Sequence, residues 1–312
     1  MGSRWKNDRP MSRTAFIRLF PDDAACARFL FEKRWPTGFV CPACGGRKAW
    51  ELASKRFTYE CAACGRQTSV TAGSVFHRSH IGLLTWFQAI YAVASHSNGI
   101  SALQLQAQLG LGSYKTAWLM LHKLRRATVA PDRSLLVDLV EVDETDIPYR
   151  TKDDPITGGQ GRSAVGKLHV IGAIELSPDG DPRRIRLAPL ANFSATKITG
   201  FVAGAVAKGA TILSDGFSAY RSLKNYNHQP TVVGVMAAHI VLPWIHRVFA
   251  NFKRWALGAY HGVRREHLRR YLDEFVYRWN RRRHMRSSFK TMLTIAAGMP
   301  HAGYRAFVDQ TI

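Results

Sequence analysis

The chain is short of acid. Its 312 residues hold 22 Asp and Glu against 44 Lys and Arg, giving a formal charge of +22 and a pI of about 10.3. A charge that large works against compaction unless an anionic partner neutralises it, and nucleic acid is the first candidate. Long apolar runs are missing too. None reaches the roughly 18 residues needed to span a bilayer, and the opening "MGSRWKNDRP" has no apolar signal segment. An anionic membrane surface is therefore the weaker partner, and the expectation is a soluble, intracellular protein with no membrane and no small-molecule substrate. Cysteine is scarce: five residues, four of them in two close pairs, which is not the pattern of a secreted disulfide framework. There are no internal repeats. Global disorder is excluded by a hydrophobic content of 46% with eight Trp and sixteen Phe.

What is present changes character along the chain. Residues 14–35 read as one or two helices with Phe16, Leu19, Phe20, Phe29, Leu30 and Trp35 on the buried side. After the cysteine pairs, "IGLLTWFQAIYAVASHS" has helical periodicity, with Leu84, Phe87, Ile90, Tyr91 and Ala94 on one stripe. Two further helices follow, joined at "GLGS", where Ser113 can cap the second. From about residue 135 the period becomes that of strands: "LLVDLVEVDET", "KLHVIGAIEL" and "RRIRLAPL", with "SPDGDP" turning between the last two. A helix near "ATKITGFVAGAVA", a strand "ATILSD" and a strand at "PTVVG" come next, then basic helices. The glycine-rich stretch 151–167 reads as a mobile loop. The boundaries are a helical segment at 1–36, a metal-binding unit at 37–72, a helical pair at 80–130, an α/β domain at 135–285 and a tail at 286–312.

Cys41 and Cys44 form one CxxC, and Cys61 and Cys64 another. Zinc takes four ligands in a tetrahedron and thiolates suit it; Gly45 and Gly65 permit the tight turn after each pair. Four thiolates leave no open position, so the zinc is structural. A redox motif needs only one pair. Cys26 lies outside the pattern and reads as a buried thiol.

The helical pair ending "KLRRA" suits a helix-turn-helix that reads DNA, with Ser113, Tyr114, Lys115 and Thr116 at the N-terminal end of its second helix. A plain helical hairpin that packs the zinc unit onto its neighbour is the alternative.

In "VEVDET", Asp143 lies in an apolar strand. Glu141 shares its face, while Val140 and Val142 point the other way. An acid there must be paired, hydrated at an end, or bound to a cation. "ILSDGFSAY" repeats the pattern with Asp215. Two aspartates at strand ends fit a two-metal phosphoryl-transfer site, in which the ions stabilise both attacking and leaving oxygens.

The string "VEVDET…SDGFSAY…LPWIHRVFANFKRWALGAYHGVRREHLRRYLDEFVYRWNRR" resembles the bacterial insertion-sequence transposases of the IS-fifteen-ninety-five type. The resemblance implies a zinc ribbon, then a small helix-turn-helix-like unit, then an α/β RNase H-like catalytic domain, a mixed five-stranded sheet with flanking helices. It implies a nucleoid-associated bacterial enzyme of the DDE class that cuts the ends of its own element and joins them to target DNA, working as a homodimer or higher on double-stranded DNA. Asp143 and Asp215 match the first two catalytic acids. The third, usually Glu and seven residues before a lysine, falls on His246, thirty-one residues after Asp215 and seven before Lys253. The chain would then be a DDH variant using Mg2+ or Mn2+. A neutral imidazole brings no negative charge and is the softer ligand, so manganese should be accepted comparatively well. Lys253, two turns further along the same helical face, can reach a phosphate. If His246 is only a packing residue, Asn251 or Glu266 would supply the third group, and Glu144 and Asp146 could assist.

In the last helices Leu268, Tyr271, Leu272, Phe275 and Trp279 form a core-facing stripe, and "RWNRRRHMR" is dense in one sign of charge. Arg254, Arg281 and Arg282, with Lys253 and Lys115, are the expected DNA-backbone contacts. Two other readings stay open: a zinc-ribbon DNA-binding regulator or decayed transposase without chemistry, and a nuclease that cleaves without joining.

Overall fold

The period of the sequence changes from helical to strand near residue 135. In the computed structural model, which describes residues 9–96, 98–130, 132–148, 166–231, 238–260 and 263–308, the chain divides into two units. One comprises Met1–Ala130 with Arg283–Phe307, the other Pro131–Arg282 with Val308–Ile312. Most of the loop 151–167, and the end of the strand expected at "PTVVG", lie outside the described residues.

The first unit opens with α1 (Arg13–Leu19) and α2 (Asp23–Arg34), whose first turns are closed by the side chains of Ser12 and Asp22 accepting from Ala15 and Ala25. Three short antiparallel strands follow, β1 (Ala49–Glu51), β2 (Thr58–Cys61) and β3 (Gln67–Ser69). Helix α3 (Leu83–Ser95) is apolar except at Thr85, Gln88 and Ser95, and is mostly buried. Phe16, Phe20, Phe87, Tyr91 and Phe289 meet at ring separations of 4.9–6.3 Å to make the aromatic centre of this unit.

Helices α4 (Ala102–Leu109) and α5 (Tyr114–Arg126) form the expected pair. Ser101 and Gln104 close α4 reciprocally, Gly110 ends it in the left-handed region, and Ser113 caps α5. Met120 through Arg125 are mostly or wholly buried, so α5 offers solvent chiefly its N-terminal turn and, at its other end, the partly exposed Arg126. Residues 286–312, expected to be a tail, instead supply α10 (Met285–Gly298), which packs against α3 and α2. Phe289, Met292, Leu293 and Ala296 on one stripe explain why: that apolar face needs a partner.

The second unit is built on a five-stranded mixed sheet in the order β6-β5-β4-β7-β8. The strands are β4 (Leu139–Pro148), β5 (Lys167–Leu176), β6 (Pro182–Leu190), β7 (Thr211–Asp215) and β8 (Asn227–Thr231). The first three run antiparallel in succession, with Gly180 at φ +80° making the β5–β6 turn; β7 and β8 run parallel to β4. Helix α6 (Ala195–Ala205) crosses over one face. Val140, Val142, Ile171, Ile198, Val202 and Tyr220 share the core there. After the short α7 (Ala238–Val241), α8 (Pro243–Tyr260) and α9 (Leu268–Asn280) cover the opposite face with Ile245, Phe249, Phe252, Leu272 and Phe275. The alternation along β4 therefore sorts its side chains: 139, 141, 143, 145 and 147 face α8, and the even-numbered ones face α6.

Candidate active site

Three odd-numbered residues of β4 each engage a different level of α8. Glu141 lies lowest. Its Oε2 accepts from the backbone N–H of Trp244 at 3.0 Å and of Ile245 at 2.8 Å, so a buried carboxylate closes the first turn of the helix. Asp143 is next, 7% exposed, with Oδ1 accepting from the N–H of Glu144 at 2.8 Å and Oδ2 3.3 Å from His246 Nε2. Thr145 is highest, its Oγ1 accepting from Lys253 Nζ at 2.8 Å.

The helix can come this close because of a missing side chain. Gly172 pairs directly with Asp143 across the β4–β5 ladder. A Cβ at Gly172 would sit 2.8 Å from Phe249 Cε1 and 2.9 Å from Ile245 Cδ1. The absence of that atom lets α8 lie on the sheet with His246 beside the aspartate.

Asp215 arrives from the other side. The β4–β7 register pairs Leu139 with Thr211, Val140 with Ile212 and Glu141 with Leu213. Two residues on, Asp143 and Asp215 stand level on neighbouring parallel strands, whose spacing is about 4.8 Å, just past the last bonded pair. Asp215 Oδ1 accepts from the N–H of Phe217 at 3.0 Å, fixing the turn that leaves the strand.

The electrostatics follow from burial. Asp143 is pushed up to about 6, first by loss of solvent and then, against the pull of the Glu144 N–H, by the negative charge of Asp215. Glu144, on the other face against Tyr220, is pushed up to about 8 by burial and by Asp143. In a chain of charge +22 this is a concentrated pocket of carboxylate. Burial also lowers the half-buried Lys253 ammonium, while Asp146 draws it up.

The alternative third groups are placed elsewhere. Asn251 is exposed and accepts from Arg254 Nη2 at 2.9 Å, and Glu266 is in a short turn of helix before α9. Asp146 is committed to His169 at 2.6 Å and Lys167 at 3.8 Å. Asp143, Asp215 and His246 are less tightly gathered than the cysteines, which among the described residues are the group of potential metal ligands with all donor atoms within 4.8 Å of one another.

Those four thiols fit zinc closely. Cys41 and Cys64 Sγ are 3.7 Å apart, Cys44 and Cys61 Sγ 3.6 Å. A tetrahedron with Zn–S bonds of about 2.3 Å has edges of about 3.8 Å. Gly45 and Gly65 take φ of +74° and +67°, and their N–H groups donate back to Cys41 and Cys61 carbonyls.

The expected DNA contacts diverge. Arg254 lies exposed on α8. Lys115 sits 4.1 Å over the ring of Tyr304 and Arg281 4.7 Å over that of Tyr277. Arg282 also serves the fold. Its guanidinium donates to the carbonyls of Pro182, Arg183 and Trp279, where it clamps edge strand β6. Asn280 and Trp279 do the same work, bonding the backbone of Ile185 and Arg183. The density of charge in "RWNRRR" suggested phosphates, yet part of it supplies the partners an unpaired sheet edge needs. Sequence reasoning also gave Glu141 and Gly172 no role. Glu141 could have been found as a buried acid two residues from a candidate ligand; Gly172 carried no signal.

A mixed sheet of this order with helices on both faces and paired acids on its central parallel strands is RNase H-like, and the class it defines behind a zinc ribbon is that of DNA transposases. Residues 135–280 match the ISXO2-like transposase domain and residues 21–67 the transposase zinc-ribbon domain. Over 282 residues, 84% of this chain and 92% of the relative, it is 29% identical to the "Uncharacterized protein in transposable element ISH50" of Halobacterium salinarum. Weaker likenesses link it to the solved pre-cleavage Mos1 transpososome (14% identity, TM-score 0.29, 68% of this chain and 78% of that one) and to the Mos1 strand transfer complex (13%, 0.29, 67% and 78%). Its zinc-ribbon and catalytic domains are those of the insertion-sequence transposases of the IS-fifteen-ninety-five type. It is a DNA transposase, a polynucleotidyl-transferase-type enzyme, and no observation favours the regulator or cleave-only readings. No helix among the described residues is long and apolar enough to cross a membrane.

Proposed function

We propose that this transposase cuts its element ends and joins them to target DNA through a DDH site formed by Asp143, Asp215 and His246. The observation that carries the reading is the 3.3 Å approach of His246 Nε2 to Asp143 Oδ2, with Asp215 level on the adjacent strand. These two carboxylates and the imidazole would hold Mg2+ or Mn2+, which when bound stabilises charge on the attacking and leaving oxygens. The donor set suits a divalent cation: burial and mutual repulsion hold Asp143 up to about 6, a penalty that positive charge removes. An uncharged third ligand favours manganese over magnesium relative to an all-carboxylate site.

The chain supplies no covalent nucleophile. Water attacks the phosphodiester in line and the 3′ oxygen departs; in joining, the freed 3′-OH attacks a target phosphodiester and displaces the target strand's own 3′ oxygen. Lys253, steadied by Thr145, engages a non-bridging phosphate oxygen. Arg254 and Lys115 contact the DNA backbone, and Arg281 contributes charge. Glu141 and Gly172 touch no DNA; they set the height and rotation of α8, and with it the position of His246. Bringing two element ends together requires a homodimer or higher.

The test is strand joining of pre-cleaved end DNA into a plasmid with Mg2+ or Mn2+. Asp143→Ala and Asp215→Ala should abolish product. His246→Ala should reduce it at least tenfold, and His246→Glu should raise the Mg2+ to Mn2+ activity ratio. Full activity in His246→Ala would remove the histidine from the site.

A further inference from the structure

No Asp or Glu occurs between Glu60 and Asp132, and none between Glu274 and Asp309. Residues 61–130 and 283–307 of these stretches fold together in the N-terminal unit. Helix α10 packs on α3, the N–H of His301 donates to the carbonyl of Gly73 at 3.1 Å, and Arg126 Nη1 donates to the carbonyl of Pro300 at 3.4 Å. Cations consequently meet here undiluted.

The rings of His77 and His301 stand edge to face at 5.4 Å. Lys123 and Arg126 lie one turn apart on α5, and the nearly buried Lys123 ammonium sits 5.8 Å over the ring of Trp86. Arg78, next to His77, is exposed and takes φ +54°, a left-handed conformation that long L side chains rarely adopt. Among the described residues no salt bridge joins any of these five to a carboxylate. A proton on His301 is opposed by burial and by the charges of Lys123, His77, Arg78 and Arg126.

Such a cluster is unfavourable by itself. The cations repel one another, Lys123 also loses solvent, and Arg78 also holds a strained backbone; a multivalent anion offsets all three. We propose that His77, Arg78, Lys123, Arg126 and His301 form a binding site for the phosphodiester backbone of duplex DNA. The choice of anion rests on the chain being a DNA transposase. The site lies at the C-terminal end of α5, opposite the Lys115 end where the sequence suggested contact. Backbone binding there gives affinity and register without reading bases.

The test is the salt dependence of binding to a fluorescent duplex of arbitrary sequence, measured by anisotropy on the full chain with zinc and no added magnesium. Removing one cation that neutralises a phosphate should flatten the slope of log K against log salt by about 0.9. Arg78→Gln with Arg126→Gln should therefore flatten it by about 1.8, whereas the charge-matched exposed pair Arg18→Gln with Arg28→Gln should leave it in place. Arg78→Gln alone, at an exposed position, should flatten it by about 0.9 even if the double variant folds poorly. An unchanged slope in either cluster variant, or an equal change in the control pair, overturns the site. Joining assays with Asp143→Ala report on the catalytic reading separately, because that variant keeps the cluster intact.

Discussion

Gly172 and Asp143 are direct partners across the β4–β5 ladder, and the side chain that Gly172 lacks is the reason His246 can stand 3.3 Å from the aspartate. Added at this glycine, a Cβ would meet Leu187 and Phe249 at 2.8 Å. Gly172→Ala should cost about 1–3 kcal/mol as α8 lifts from the sheet. Joining by the folded fraction should fall at least tenfold. Thermal melts and joining assays on one preparation check both; a destabilised variant with normal turnover would show that the height of α8 does not matter to chemistry.

Glu141 positions the same helix from its end. Glu141→Ala leaves two N–H donors, the buried one of Ile245 and the half-buried one of Trp244, without their acceptor, at a cost of ~1–3 kcal/mol. Glu141→Gln keeps an acceptor oxygen and should restore much of the loss. The informative readout is the metal: if α8 has shifted, half-maximal Mn2+ should rise severalfold in the alanine variant and recover in the glutamine one. A fall in stability with no change in metal dependence would assign Glu141 a purely structural part.

Asp143 makes the cation-free protein sensitive to pH. Its carboxyl moves from an ordinary value of 3.8 up to about 6, so between those values the native state binds more protons than the unfolded chain. The stability is present below the lower value and is lost as pH rises through about 6. Glu144, raised from 4.5 to about 8, extends the same slope upward. Without divalent metal, Asp143→Asn should therefore melt higher than wild type at about pH 8, with the gap closing towards about pH 4, while joining is abolished. A lower melting point for Asp143→Asn at about pH 8 would contradict the buried-acid account.

The zinc ribbon should not survive loss of its metal. Its strands are three to four residues long and its turns are closed by the Cys41 and Cys61 carbonyls. Cys44→Ser, or chelation, should remove one zinc per chain and expose the 37–72 region to protease, because metal binding and folding are one equilibrium at such sites. Zinc content by mass spectrometry and limited proteolysis check this.

Much of the molecule was written locally. The two CxxC pairs with their glycines, the switch from helical to strand period near residue 135, and the alternation that puts Glu141 and Asp143 on one face all depend on residues a few positions apart. Spacing is enough to state them. The caps at Ser101 and Ser113 are local in the same sense.

The rest was decided by what lies across space. Residues 283–307 join the N-terminal unit because the apolar stripe of α10 finds its partner in α3, over a hundred and eighty residues upstream. Arg282 carries the same charge as its neighbours, yet it clamps a sheet edge that no sequence window reveals. His246 meets Asp143 only because a glycine on β5 and a carboxylate on β4 set where α8 lies. Sequence by itself determined which chemical groups the chain possesses and which face of each element bears them. Tertiary packing alone decided which of those groups meet, because the separation between a histidine and an aspartate a hundred residues apart is fixed by how closely a helix can approach a sheet.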